Sequence, residues 1–187
     1  MSRIVAGSAR GRSLKVPKSG TRPTSSRVRE ALFSHLEHRD FVDGCDVLDL
    51  FAGSGALALE ALSRGATRAI GVDSAEEAIR AMNANARETQ LPLKAIKSQV
   101  LTYVSQPGTD GPFDVIILDP PYDFPDDSLT AILHELPRHL KSDGLVVVER
   151  AKRCTPPTWP EELAPEHERT WGDTRIWTAQ NTADQEN

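Results

Sequence analysis

The sequence predicts an α/β protein built on a mostly parallel sheet, and three observations carry that expectation. From Asp46 onward, short apolar runs alternate with longer helix-patterned segments. Two of the runs, F-D-V-I-I-L at 113–118 and L-V-V-V at 145–148, are nearly continuous, as in strands covered on both faces. The third observation is Val47–Gly55, V-L-D-L-F-A-G-S-G, where an apolar strand ends in two glycines and passes straight into A-L-A-L-E-A-L-S-R. A strand that turns through glycine into a helix makes a nucleotide site. Glycine lets the backbone approach a ligand closely, and the first N–H groups of the helix lack partners within it.

The elements follow in order. Arg3–Gly7 and Arg12–Val16 are short alternating runs around Ser8–Gly11, a pattern that predicts a basic β-hairpin. Pro17–Pro23 is a turn-rich connector, after which Thr24 or Ser25 caps a helix over Ser26–His38 with Val28, Leu32 and Leu36 on one face. Strands are predicted at 46–51, 68–73, 93–98, 113–119 and 144–149, with right-handed helical crossovers at 55–64, 75–89, 99–105 and 126–141. Ser74 is the expected cap of the second crossover, with Glu76 and Glu77 in its first turn. Beyond a proline-rich connector, 166–171 and 174–179 flank Gly172-Asp173 as a closing antiparallel hairpin, which Trp159, Trp171 and Trp177 pack onto the sheet. Cys45 reads as a small core residue, and the five histidines, without metal spacing, read as surface residues.

Hydrophobic content of 39% and 26% charged residues suit one globular domain in a chain of 187 residues. The N-terminus has no secretion-signal core and no apolar run reaches the length of a membrane span, so a cytoplasmic protein is expected. Two cysteines without C-x-x-C spacing argue against a metal or disulfide site. A monomer is expected, since no spare apolar element suggests a permanent interface. The net charge of −5 hides an asymmetry: eight of the 22 bases lie in the first 29 residues with no acid among them, and the other fourteen face all 27 acids. A basic segment on an acidic body suits a polyanion, and nucleic acid is the expected partner.

Asp119-Pro120-Pro121-Tyr122 is the sharpest chemical signal. It follows the fourth strand directly, so it lies at the carboxyl edge of the sheet where the glycine turn also ends. Its two prolines stiffen the turn and remove N–H donors, leaving carbonyls as acceptors. A carboxylate, a carbonyl and an aromatic ring together suit an exocyclic amine on a flat base. The oxygens take both N–H bonds and the ring stacks. Holding both hydrogens aims a poorly nucleophilic aryl amine at an electrophilic methyl group, so most of the gain comes from alignment. Asp73, 20 residues after Gly53, ends a second apolar run where an acid binds ribose hydroxyls. Glu149 ends the fifth strand at the same edge and has two equal readings, as a site residue or as a partner of Arg150 or Arg175. Asp173 reads as a turn residue.

D-L-F-A-G-S-G at 49–55, Asp73 and D-P-P-Y at 119–122 resemble the class I S-adenosylmethionine-dependent amino-methyltransferases. R-x-x-x-G-x-x-R-G-R-x-L at 3–14, R-P-T-x-x-R-V-R-E at 22–30 and G-D-T at 172–174 resemble, more narrowly, the RsmD-type 16S rRNA guanine-966 N2-methyltransferases. That resemblance implies a Rossmann-like domain over 43–181: a seven-stranded, mostly parallel sheet with an antiparallel C-terminal hairpin. A small basic RNA-facing hairpin and helix over 1–42 would precede it, and a disordered tail over 182–187 would follow. By position, Asp49, Phe51, Gly53 and Gly55 would hold the methionine part of S-adenosylmethionine, Asp73 and Ser74 the ribose, and Gln99 and Val100 the adenine. Asp119, Pro120 and Tyr122 would hold the target guanine. Arg22, Pro23 and Thr24 would fold over the cofactor, and Arg10, Arg12, Lys15, Arg22, Arg27 and Arg29 would meet phosphates of 16S rRNA in the 30S subunit or an assembly intermediate. Ser26 departs from the acid that the family often carries there.

Other readings remain open at this level. An NAD(P)-dependent oxidoreductase would use the same glycine turn and Asp73. Against it, Ala58 stands at the third glycine position, Asp49 would crowd a pyrophosphate, and no Tyr-x-x-x-Lys pair occurs. A non-catalytic RNA-binding module leaves D-P-P-Y unexplained. D-P-P-Y is shared with adenine-N6 methyltransferases of DNA and rRNA, so the residues fix the reaction type better than the base.

Overall fold

A computed structural model describes residues 2–17, 24–107 and 110–183. The chain opens with β1 (Ser2–Arg3) and β2 (Ser13–Leu14), paired antiparallel, followed by α1 (Ser26–His38). Ser25 caps α1 by accepting the Val28 N–H at 3.2 Å. The hairpin strands are far shorter than the sequence predicts because the backbone between them is engaged elsewhere. Val5 and Ala6 donate to the Glu60 carboxylate at 2.8 and 3.0 Å, and Ser8 donates to the Ser63 carbonyl at 2.7 Å. At Gly7, where a Cβ would stand 1.8 Å from that carbonyl, only glycine allows the approach.

The body alternates β3 (Asp46–Leu50), α2 (Ala56–Ser63), β4 (Arg68–Asp73), α3 (Glu76–Thr89), β5 (Leu93–Lys97), α4 (Val100–Ser105), β6 (Phe113–Leu118) and α5 (Asp126–Glu135). It closes with β7 (Leu140–Ala151), β8 (Leu163–Trp171) and β9 (Thr174–Asn181). The sheet has seven strands in the order β5-β4-β3-β6-β7-β9-β8, parallel from β5 through β7 and antiparallel at β9 and β8. This is the predicted architecture.

Several boundaries move for local reasons. α5 stops at Glu135, six residues short of the predicted end, because Pro137 removes an N–H and forces a single 3₁₀ turn over Pro137–His139. β7 therefore starts at Leu140 rather than 144. Ser74 does not cap α3. The helix starts one residue later than predicted, and the Asp73 carboxylate accepts the Ala75 N–H at 2.9 Å. His139 is no surface residue: it is buried, with Nε2 2.7 Å from the Val104 carbonyl oxygen.

Strand alternation sorts the core into two layers. Val47, Val115, Ile117, Leu145 and Val147 face α1, α2 and the N-terminal residues Ile4 and Leu14. Leu48, Leu50, Ile116, Leu118, Val146 and Val148 face α4 and α5. The N-terminal extension thus shares a core with the sheet. It is also bolted on by charge. Arg29, 0% exposed, places Nε 3.4 Å from Glu60, donates to Ser2 Oγ and donates to the Arg3 carbonyl. Arg64 closes the cluster on Glu60 at 2.8 Å, Glu30 at 2.6 Å and Glu37 at 3.1 Å. The expectation that Arg29 meets RNA phosphates is overturned, since its guanidinium is spent inside the fold. Among the described residues no helix is long and apolar enough to cross a membrane.

Candidate active site

Register explains how three acids come together. Asp49 pairs with Ile117 across β3 and β6, and Leu118 pairs with Val148 at the end of β6 and β7. The next residue on each of the latter strands is Asp119 and Glu149, so the two stand side by side at the carboxyl edge. Two-residue alternation gives Asp49, Asp119 and Glu149 the same face as Val47, Ile117 and Val147.

The glycine loop after β3 forms a narrow cleft lined by Asp49, Phe51, Gly53, Ser54, Thr24, Val16 and Asp119. Gly55 has φ +77°, and a Cβ there would meet Leu93 Cδ2 at 2.8 Å and Met82 Cγ at 2.9 Å, so any side chain would strain the backbone and displace two core side chains. Phe51 also takes a left-handed φ of 64°, costly for a bulky residue, with its ring edge-on to Phe124 at 4.9 Å. Asp49 is 1% exposed: Oδ2 accepts the Ala58 N–H at 3.2 Å, and Oδ1 has no partner. Burial, with Asp119 and Asp73 nearby, pushes its carboxyl well above the usual range. A buried carboxylate with one free oxygen facing a cleft suits a cationic ligand group, and the ammonium of an amino-acid moiety is one. Replacing it with Asn should separate these two effects. Asp49→Asn should bind S-adenosylmethionine about 10- to 100-fold more weakly in calorimetry, the loss of a charge-assisted bond. Its melting temperature relative to the wild type should gain most at high pH, where ionising the buried wild-type acid is costly. That gain should shrink as pH falls and the raised carboxyl takes up its proton in the wild type.

Asp73 accepts the Gly53 N–H at 2.9 Å through Oδ2, tying the second strand's acid to the glycine loop. Gln99, the N-terminal boundary residue of α4, is exposed next to Ser98, whose N–H bonds the Asp73 carbonyl. Val100 is buried against β4 and faces the core rather than the cleft. Ser74 is exposed beside Asp73. Asp73, Ser74 and Gln99 lie along the carboxyl edge, and none of the four residues lines either cavity.

On the other side of Asp119 lies an open cavity of about 580 Å³ lined by Thr24, Arg27, Asp119, Pro120, Tyr122 and Glu149. Asp119 and Thr24 line both spaces. Thr24 Oγ1 donates to Asp119 Oδ2 at 2.9 Å and stands 3.3 Å from each Glu149 oxygen. Burial pushes the Asp119 pKa up to about 6, with the Thr24 bond pulling the other way. Burial, and then the charge of Asp119, push the Glu149 carboxyl well above the usual carboxylate range. Tyr122 is 47% exposed at the rim, with the Arg153 guanidinium 4.6 Å above its ring. Arg10, Arg12, Lys15 and Arg27 are exposed, although Arg12 stands 3.9 Å from Glu88; Arg22 and Pro23 lie outside the described residues. Glu149 is the residue that the sequence leaves undecided. Arg150 pairs instead with Asp126 at 2.7 Å and Arg175 with Glu168 at 3.2 Å.

A seven-stranded sheet of this order, with a glycine loop after its first body strand and D-P-P-Y after its fourth, defines a Rossmann-like class I methyltransferase. The family model described as "Conserved hypothetical protein 95" matches residues 2–180, and the chain belongs to that family, the one the N-terminal and D-P-P-Y motifs indicate. It is 36% identical over 176 residues to the Ribosomal RNA small subunit methyltransferase D of Escherichia coli K12, covering 91% of this chain and 85% of that one. Among solved structures, yhhF from Escherichia coli superposes with a TM-score of 0.85 at 30% identity, covering 97% of this chain and 98% of that one. A hypothetical protein from Thermus thermophilus superposes with a TM-score of 0.80 at 33% identity, covering 95% of this chain and 98% of that one.

Proposed function

We propose that this chain transfers a methyl group from S-adenosylmethionine to the exocyclic N2 amine of a guanine in 16S rRNA, in the cytoplasm, during small-subunit assembly. The observation that supports this best is one carboxylate, Asp119, lining both the glycine-loop cleft and the D-P-P-Y cavity. The cofactor supplies an electrophilic methyl on a sulfonium. The chain does the rest. Asp49 accepts from the ammonium, the Gly53–Gly55 backbone lies against the methionine part, and Asp73 takes the ribose hydroxyls. Gln99 and the backbone of Val100 flank the adenine.

On the substrate side, Asp119 and the Pro120 carbonyl accept the two N–H bonds of the amine while Tyr122 stacks on the base. Asp119, ionised above about pH 6, is also placed to take the proton that nitrogen sheds on alkylation. Arg10, Arg12, Lys15 and Arg27 are the exposed bases for phosphate contact, with residues 1–42 as the RNA-facing extension of a catalytic domain over 43–181.

The test is to incubate unmodified 30S particles with labelled cofactor and identify the product nucleoside by mass spectrometry. N2-methylguanosine is expected; N6-methyladenosine would overturn the base assignment.

A further inference from the structure

We infer that Glu149 reads the target base: its carboxylate accepts from the ring N1–H of guanine, beside the N2 amine held by Asp119. The inference rests on the methyl-transfer reading and deepens it, because D-P-P-Y alone does not distinguish guanine from adenine.

The geometry is one of surplus acceptors. Glu149 is 5% exposed, and both of its oxygens and Asp119 Oδ2 converge on the single hydroxyl of Thr24 within 3.3 Å. One hydroxyl carries one proton, so with both carboxyl groups ionised it cannot satisfy three oxygens. Among the described residues, three neighbouring arginines bond to other groups, although the Arg29 charge still pulls the Glu149 carboxyl down. Arg150 binds Asp126 and the Phe124 carbonyl on the opposite face of β7, and Arg175 binds Glu168 and Thr170. Arg29 is committed to Glu60, Ser2 and Arg3. Two adjacent carboxyl groups therefore line the cavity, and among the described residues the donor within hydrogen-bond distance of both is the Thr24 hydroxyl.

The ligand edge that matches them presents two neighbouring donors. Guanine offers N1–H next to N2–H; adenine offers an N6 amine next to the lone pair of N1. An ionised Glu149 beside Asp119 pairs with the first edge and repels the second. Burial holds the Glu149 carboxyl up in the free protein, and a base N–H donor acts against that shift.

The experiment uses 16S rRNA carrying either guanine or 2-aminopurine at the modified position, assembled into small-subunit particles. 2-Aminopurine keeps the N2 amine but has a lone pair at N1. The wild type should prefer guanine by about 100-fold or more in kcat/KM, as sites built around a buried hydrogen bond do. Glu149→Gln can turn its NH₂ toward the lone pair, so the preference should fall below about 10-fold, mainly by gain on 2-aminopurine. A merely structural role would lower both rates together, and an unchanged ratio in Glu149→Gln overturns the inference. Should that variant fold poorly, Glu149→Asp keeps the charge but withdraws it. It should lose activity on guanine without gaining on 2-aminopurine, and full activity on guanine would overturn the inference. If the wild type methylates an adenine instead, the target assignment itself has failed, which the unsubstituted particles reveal.

Discussion

Asp119→Asn should lower kcat on 30S particles by about 10²–10⁴-fold, the range for losing a positioned acceptor that also receives a proton. Cofactor affinity by calorimetry should change little, since the Asp119 side chain is shared between the two cavities but the buried acid of the cleft is Asp49. The wild-type pH profile carries the same information with a definite sign. Burial raises the Asp119 carboxyl to about 6, so the ionised, accepting form predominates above that pH. The rate should fall as pH drops through about 6, and Asp119→Asn should shift that limb, the part that remains belonging to the Glu149 carboxyl. A variant that kept both the rate and an unshifted limb would move the reaction to another residue. The Asn amide retains one acceptor oxygen, but its NH₂ faces an amine that is itself a donor, so the loss reflects repulsion as well as a missing bond.

The strands and helices are legible in the sequence because their apolar periods are strong, and Asp49, Asp73 and Asp119 are legible because each ends or interrupts an apolar run before a turn. Glu149 carries a signal that only register completes. It continues the alternation of Leu145 and Val147, yet its neighbour across the sheet depends on where β6 and β7 pair, which no local pattern states. Arg29 misleads in the opposite way. A run of bases suggests one electropositive surface, but Leu32, Phe33 and Leu36 follow Arg29 at the spacing of a single helix face, and that face is the buried one. Charge composition says how many bases a segment has; helical phase says which of them leave the solvent. The hairpin's true strand lengths escape the sequence because its backbone donors bond to α2, a tertiary choice invisible in a seven-residue window.

The same cluster yields the largest expected stability effect. Glu60 is 0% exposed, and its carboxylate accepts from Val5, Ala6 and Arg64 and sits 3.4 Å from Arg29 Nε. Glu60→Ala leaves two backbone N–H groups and two guanidinium groups without that acceptor, and should cost about 3–5 kcal/mol, the range for breaking a buried pair. For a chain of this size that is a fall in melting temperature of roughly 6–20 °C, at about 2–4 °C per kcal/mol. The damage should also be local: amide exchange should rise first over residues 2–17, whose donors Glu60 holds, before it rises in β3 and β6. A double change, Glu60→Leu with Arg29→Met, should recover part of the melting temperature by removing both charges together. It should not recover the hairpin's protection, because leucine accepts no hydrogen bond from Val5 or Ala6. If the single and double variants melt alike, the cluster holds the extension through packing of Ile4, Leu14 and Val28 rather than through charge.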